Sequence, residues 1–268
     1  RGKGPGEFVY MGGFAIDADK DLIYIVNSSG SDIPVFNYAG EYIKSFERDR
    51  YYESIGITDD KDIALFSIYS DNIIHLLDST GHHYREFIPF DQKYHRAVKM
   101  SYFLNYKANL FHWHDLNDTI YNIQNGKCTP HTYIDFEKKI SRKLYDEVKY
   151  QPRPGLPLYM APPEYMWDIG DYMETNDYVA FSFRFQKLYQ NAIWCKRTEE
   201  LVVFNTESTN DLLNSDGVYL INTVGTSFVG VMNPSDLDDG FAIENVNPED
   251  NPILVLLEVK SCLFGQQN

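Results

Sequence analysis

The segment HWHD at residues 112–115 has the residue types and spacing of a small polar site. Successive side chains of a strand point to opposite faces, so His112 and His114 share one face and Trp113 lies on the other. Two imidazoles on one face can bind a metal ion, and Asp115 could orient either ring. No third ligand is identifiable, so a contact with an organic ligand and plain packing both stay open beside a metal site.

The segment PRPGLPLYMAPPEYMW at residues 152–167 combines prolines with aromatic side chains. Its stiff backbone suits a lid, and Tyr159, Tyr165 and Trp167 could stack against a sugar ring or an apolar side chain. The same side chains could instead seal the top of the core. Arg153 and Arg184 are candidate contacts for an anionic group, although a surface or paired arginine is the commoner case.

Two acidic segments, DADKD at 17–21 and DLDDG at 236–240, raise the question of calcium. Neither has the ligand spacing of an EF-hand loop. The first aligns with a similar segment 41 residues later, which indicates a repeated hairpin turn. Asp236, Asp238 and Asp239 of the second are the weak metal candidates. No cofactor is predicted, and calcium is left open as an alternative.

Sequence signatures of known hydrolases are missing. The chain has no GxSxG nucleophile elbow and no Ser-x-Asp-x-Gly-x-x-Trp box of sialidases. Its cysteines, Cys128, Cys195 and Cys262, include no CxxC pair, so the pattern indicates buried thiols rather than zinc, with one disulfide left open.

Composition narrows the class of partner. The formal net charge is −15, and phosphate binding needs clustered Lys and Arg, which argues against nucleic acid and anionic membranes. No apolar run reaches the length of a transmembrane helix. Aromatic residues make up 15% of the chain, which favours β-strands.

The elements that must position these residues follow from an internal repeat. Residues 13–46 align without gaps on residues 54–87, an offset of 41, and a looser third copy spans 109–136. Each copy contains four short strands joined by turns, and Gly40 aligns with Gly81. Four antiparallel strands per roughly 40 residues is the period of a propeller blade.

The sequence therefore predicts an all-β fold, a six-bladed β-propeller with five blades in this chain. The whole chain, 1–268, is predicted as a single propeller domain, with an amphipathic helical insertion at 137–149. Because GKGPGEF at 2–8 precedes the first inner strand, we expect an outer strand upstream, and hence a first blade that is missing or truncated. The predicted blades span approximately 12–46, 53–90, 98–136, 164–206 and 217–260.

The opening GKGPGEF, the strands IYIVN and VFNYAGEYIKSF, and the terminal NPEDNPILVLLEVK resemble NHL-type repeats. Together they resemble a family of six-bladed propellers found mostly as lipoproteins of anaerobic gut bacteria. The resemblance implies a location in the bacterial cell envelope, periplasmic or attached to the outer membrane, and a lipid anchor upstream of Arg1. It implies no activity and no catalytic residues.

Propeller ligands bind on the face formed by loops that enter inner strands and loops that join the two middle strands. The predicted function is a non-enzymatic binding or protein-interaction module of the envelope, with a glycan, a peptide or an envelope protein as its partner. The alternative is a metal-assisted hydrolase or lyase with its site at the propeller channel. That enzyme needs polar side chains from several inner strands around one divalent ion.

Overall fold

The computed structural model describes residues 4, 6–8, 10–27, 32–94, 101–107, 109–114, 117–140, 164–186, 188–205, 219–234 and 251–259. The chain divides into two compact units. The first contains residues 1–135 and 152–158, and the second contains residues 136–151 and 159–268.

The first unit contains three sheets, each made of four consecutive antiparallel strands. The first blade consists of β1 (Met11–Asp17), β2 (Leu22–Asn27), β3 (Asp32–Asn37) and β4 (Tyr42–Glu47). The second consists of β5 (Ser54–Ile57), β6 (Ile63–Phe66), β7 (Asn72–Leu77) and β8 (His83–Pro89). The third consists of β9 (Ser101–Tyr106), β10 (Asn109–His114), β11 (Thr119–Gln124) and β12 (Lys127–Tyr133).

The second unit contains two further sheets of the same meander type. The fourth blade consists of β13 (Trp167–Glu174), β14 (Tyr178–Phe185), β15 (Leu188–Cys195) and β16 (Leu201–Asn205). The fifth has three strands, β17 (Tyr219–Val224), β18 (Ser227–Met232) and β19 (Ile253–Leu257). The predicted all-β fold with five propeller blades is therefore confirmed. The sixth blade stays a prediction.

The middle strands of the second blade are buried on both faces because neighbouring elements cover them. β6 is buried along its whole length, whereas most residues of the fourth strand, β4, are exposed. The core between the first two blades contains Val26, Ile33 and Val35 of the first and Ile63 and Leu65 of the second. Each such side chain contributes roughly 1.5–3 kcal/mol when it is fully buried.

The repeat is visible in the turn before the fourth strand. The backbone N–H of Gly40 donates to the Asn37 carbonyl, and that of Gly81 donates to the Asp78 carbonyl, both at 2.9 Å. Both glycines have a positive φ, +79° and +89°, a conformation that is costly for other residues. The two blades thus use the same turn at the aligned positions.

The glycine-rich opening segment forms a turn that packs on the first blade. The backbone N–H of Glu7 donates to the Gly4 carbonyl at 2.9 Å. The Phe8 ring meets the Phe36 ring edge to face, with centroids 6.4 Å apart. Gly6 has a φ of +73°, and a Cβ there would lie 2.7 Å from ring atoms of Tyr42. Glycine is required at this position by both backbone and space.

Within the described part of the chain, helical structure amounts to a short 3-10 helix, Gln92–Tyr94, and one 3-10 residue at Pro234. Residues 137–140 of the predicted helical insertion form a bend and a bridge between Lys139 and Met166, and residues 141–149 lie outside the described residues. None of the described helical structure has the length and apolar character to cross a membrane.

Candidate functional site

Two loops of the first unit meet at one end of the second blade. Residues 48–53 lead into the start of β5, and residues 67–71 leave the end of β6. Since β5 and β6 are antiparallel neighbours, these loops must be adjacent. The backbone N–H of Glu53 donates to the Phe66 carbonyl at 2.9 Å at this point. We call these two loops the binding loops.

Two exposed tyrosines form the centre of the binding loops. The rings of Tyr51 and Tyr69 meet edge to face, with centroids 5.6 Å apart and an interplanar angle of 82°. Tyr51 is 39% exposed and Tyr69 is 56% exposed. An edge-to-face pair orders both rings, and their outer faces can accept an apolar surface such as the face of a sugar ring.

A guanidinium group lies beside this pair. Arg48 Cζ is 5.9 Å from the centroid of the Tyr51 ring, within the range of a cation–π interaction. Its Nε and Nη1 are buried and have no hydrogen-bond partner among the described residues. Burial lowers the pKa of Arg48, and the nearby Asp32 carboxylate opposes that effect. Arg48 therefore places a positive charge beside Tyr51, with two buried N–H groups that the described residues do not satisfy.

A second arginine ties the binding loops together. Arg50 Nη1 donates to Ser70 Oγ at 2.7 Å, across the two loops. Its Nε and Nη2 donate to Asp49 Oδ2 at 2.9 Å and 2.6 Å. The Tyr52 hydroxyl donates to the other oxygen of Asp49 at 2.8 Å. The aromatic pair is thus held on a hydrogen-bonded base rather than on an unsupported loop.

Glu53 lies where the two binding loops meet, with its backbone bonded to Phe66 and its carboxyl group bonded to the Ile68 backbone. Burial raises the pKa of Glu53 to about 7, and a hydrogen bond from the backbone N–H of Ile68 partly opposes this shift. The carboxyl group therefore changes charge near neutral pH.

The predicted pair His112 and His114 does share one face of β10. Their rings stack with centroids 5.5 Å apart and an interplanar angle of 20°. Both are buried, as is Trp113. The ring of Phe66, from the second blade, lies 5.3 Å from His112 and 6.1 Å from His114. The pair is packed between the second and third blades. Because Phe66 and other neighbours cover both rings, a ligand in solvent cannot contact them directly.

The other predicted site residues are scattered or undescribed. Arg184 lies in the second unit, where its Cζ is 3.9 Å from the centroid of the Tyr189 ring and its guanidinium donates to the Tyr189 hydroxyl. Tyr165 is half-buried, and Trp167 begins β13. The remaining candidates lie outside the described residues: Asp115, Arg153, Tyr159, Asp236, Asp238 and Asp239.

The acidic turn at 17–21 is occupied by protein cations. The Asp17 carboxylate is buried and pairs with Lys61 Nζ at 3.3 Å and Lys20 Nζ at 3.6 Å. Two ammonium groups at these distances disfavour a calcium ion on the same oxygens.

Within the described ranges, a single group of three or more His, Cys, Asp or Glu side chains is close enough to hold a metal. It contains His75 of β7 and His83 and Glu86 of β8. Burial, reinforced by Arg50, lowers the pKa of His75 to about 4, so its ring is neutral at pH 7. Sequence reasoning missed this group because its members are unremarkable until β7 and β8 are paired.

Sequence reasoning also missed the binding loops, although a signal was present. Extending the 41-residue offset three positions upstream aligns Tyr10 with Tyr51. Both are exposed, and both precede the first strand of a blade. A large aromatic repeated at a position that the core does not need indicates a surface role.

These sheets and loops define a β-propeller of five described blades with an aromatic and arginine-bearing face on its second blade. The chain belongs to the family described as Domain of unknown function (DUF4934), whose model matches residues 1–258. A search of curated proteins found no match.

One solved structure supports the fold, and two others resemble this chain more distantly. A Bacteroides fragilis protein named as an exported protein superposes with a TM-score of 0.79 at 17% identity, covering 97% of this chain and 80% of that one. Virginiamycin B lyase from Staphylococcus aureus gives a TM-score of 0.46 at 12% identity, over 91% of this chain and 68% of that one. Kuenenia stuttgartiensis hydrazine synthase gives 0.44 at 12% identity, over 81% and 60%. At 17% identity, the likeness to the Bacteroides fragilis protein extends to the fold and not to activity.

Proposed function

We propose that this protein is a non-enzymatic, ligand-binding propeller of the bacterial cell envelope, and that its ligand is a glycan or a peptide. The exposed edge-to-face pair of Tyr51 and Tyr69 is the observation that carries the proposal. Exposed aromatic side chains on a braced surface are typical of binding sites, because they offer a large contact area with little loss of side-chain freedom.

The side chains around the tyrosine pair indicate which class of ligand the site would bind. The Arg48 guanidinium lies beside the Tyr51 ring and brings a positive charge to the aromatic pair. A ligand that combines an apolar ring face with an acidic group would use both features. Acidic sugars and peptides with an acidic and an aromatic residue fit this description.

The envelope location is part of the proposal. It is supported by the sequence resemblance to propeller lipoproteins and by the name of the Bacteroides fragilis protein that shares the fold. A lipid anchor upstream of residue 1 would place the binding loops outside the cytoplasm, where glycans and peptides of the envelope are accessible.

The alternative, a metal-assisted hydrolase or lyase, needs ligands from the first strands of several blades around one ion. The three-residue metal group among the described residues instead lies on the third and fourth strands of one blade. The exposed pair of Tyr51 and Tyr69 therefore favours the binding function, and no comparable arrangement among the described residues favours the enzymatic function.

A glycan microarray and an acidic peptide library, each probed with the whole labelled chain, test the proposal. The double variant Tyr51→Ala/Tyr69→Ala is expected to lose at least tenfold in affinity for every ligand that the wild type binds, because truncated anchor residues commonly remove 1–3 kcal/mol. Arg48→Gln is expected to lower the affinity for acidic ligands more than the affinity for neutral ones.

Tyr38→Ala is the matched control. Tyr38 is 51% exposed and lies in the turn between β3 and β4, at the other end of its blade from the loop that contains Tyr51. Retained binding in Tyr51→Ala/Tyr69→Ala, or an equal loss in Tyr38→Ala, would show that the binding loops are not the site. Enzymatic release of products from any bound glycan or peptide would overturn the non-enzymatic part.

A further inference from the structure

Three potential metal ligands converge on one face of the second blade. His75 of β7 and Glu86 of β8 are directly paired across the two strands, and the register shift after Leu76 brings His83 to the same side. The ligand atoms of His75, His83 and Glu86 all lie within 4.8 Å of one another.

The separations match those around a tetrahedral ion. Glu86 Oε1 is 3.3 Å from His75 Nδ1 and 3.5 Å from His83 Nε2. Around zinc, with bonds of about 2.0–2.2 Å, neighbouring ligand atoms lie about 3.3–3.6 Å apart. Two of the three edges already have this length, and a rotation of the half-buried His83 ring can shorten the third.

The ring nitrogens that face Glu86 are poorly satisfied by the protein. His75 Nδ1 and His83 Nε2 are both buried, and neither forms a hydrogen bond of acceptable geometry among the described residues. Leaving a buried polar atom unsatisfied is unfavourable. A metal ion accepts both lone pairs and removes that cost.

Outer contacts position the carboxylate and the buried ring. Asn72 Nδ2 donates to the second oxygen of Glu86 at 3.2 Å, which leaves Oε1 directed at the histidines. The Tyr52 ring packs edge to face on His75 with centroids 5.4 Å apart. Fixing a carboxylate from behind and packing the ring of a ligand are features of the outer shell of metal sites.

One cation competes for the same oxygen. Arg50 Nη1 is 3.5 Å from Glu86 Oε1, and its stronger bonds go to Ser70 and Asp49. The guanidinium can therefore release Glu86 and keep its other partners.

We propose that His75, His83 and Glu86 form a binding site for a divalent transition-metal ion of the zinc type. Two imidazole nitrogens and one carboxylate oxygen suit zinc and its first-row neighbours, whereas calcium and magnesium select all-oxygen sites. Three protein ligands leave one tetrahedral position for water or for an outside group. The site stands on the same blade as the binding loops but does not depend on their function.

Isothermal titration of the whole, metal-stripped chain with Zn²⁺ tests the proposal, followed by metal analysis after dialysis. One tightly bound ion is expected at this site, and Ca²⁺ is expected not to compete. His83→Ala and Glu86→Gln should each weaken Zn²⁺ binding at this site at least tenfold. His82→Ala, which removes the exposed histidine next in sequence, should leave the affinity unchanged.

A variant that is expected to raise the affinity for Zn²⁺ distinguishes loss of the site from misfolding. Arg50→Met removes the competing cation and should tighten Zn²⁺ binding several-fold, because a like charge within about 4–6 Å opposes the ion. Co²⁺ in place of Zn²⁺ should give the intense visible absorption of a tetrahedral site, lost in His83→Ala. The site is excluded if His82→Ala loses as much affinity as His83→Ala, or if His83→Ala and Glu86→Gln, verified as folded by circular dichroism, keep wild-type affinity.

Discussion

Gly81 and Phe46 touch so closely that no side chain fits between them. A Cβ built on Gly81 would lie 2.1 Å from Cδ1 of Phe46. Gly81 lies in the last turn of the second blade, and Phe46 is a buried residue of β4 in the first. The turn before the last strand of the second blade is therefore packed directly against the outer strand of the first blade.

Gly81→Ala is expected to destabilise the protein more than Gly40→Ala. Both glycines have a similar positive φ, so both variants incur the strain of the left-handed region, about 1–2 kcal/mol. A Cβ on Gly40 has no atom within 4 Å, whereas one on Gly81 must displace Phe46. We expect Gly81→Ala to lose a further 1–3 kcal/mol, roughly the cost of overpacking. Urea denaturation of the two variants measures the difference, and equal losses would contradict the packing argument.

The turn itself was predictable from the sequence, because its chemistry is local. The 41-residue offset aligned Gly40 with Gly81 and Asn37 with Asp78, and these residues form the same hydrogen bonds in both blades. The packing of Phe46 on Gly81 was not predictable, because it depends on how two blades meet. Local patterns fix turns and strands, and contacts between sheets follow only from the assembled fold.

The candidate sites also combine local features that the sequence predicts with contacts that only the folded chain reveals. That His112 and His114 share a face follows from the two-residue period of a strand, but their burial depends on Phe66 from another blade. Tyr51 and Tyr69 come from two loops, and only the antiparallel pairing of β5 and β6 brings those loops together. A sequence scan favours contiguous motifs such as HWHD, so it misses a surface assembled from separate loops.

Lys61 and Asp17 are expected to be energetically coupled across the first two blades. The Asp17 side chain is 1% exposed, and its carboxylate lies 3.3 Å from Lys61 Nζ. Removing the cation leaves a buried charge whose remaining partner, Lys20, is more distant and 45% exposed. A buried pair broken on one side is destabilising, although the partial exposure of Lys61 reduces the effect.

A double-mutant cycle of Lys61→Met and Asp17→Asn measures this coupling by urea denaturation. We expect Lys61→Met to cost about 1–2 kcal/mol more in the wild type than in the Asp17→Asn background. Lys20→Met is the matched control and should show a smaller coupling. Equal costs in the two backgrounds would mean that the pair adds nothing to stability.

Glu53 is expected to make the stability of the protein depend on pH between about 4.5 and 7. Its pKa is raised from 4.5 to about 7 in the folded state, so folding favours the protonated carboxyl group. The stabilising effect of this shift is fully present below the unfolded-state pKa and is lost as the pH rises through the folded-state value. The wild type should therefore lose stability relative to Glu53→Gln as the pH rises through this window, since glutamine remains neutral.

Urea denaturation of both proteins at several pH values between 4 and 8 measures the difference in free energy of unfolding. Glu47→Gln, at an exposed position of β4, is the control. A difference between wild type and Glu53→Gln that stays constant with pH would contradict this prediction and place the Glu53 carboxyl group in solvent.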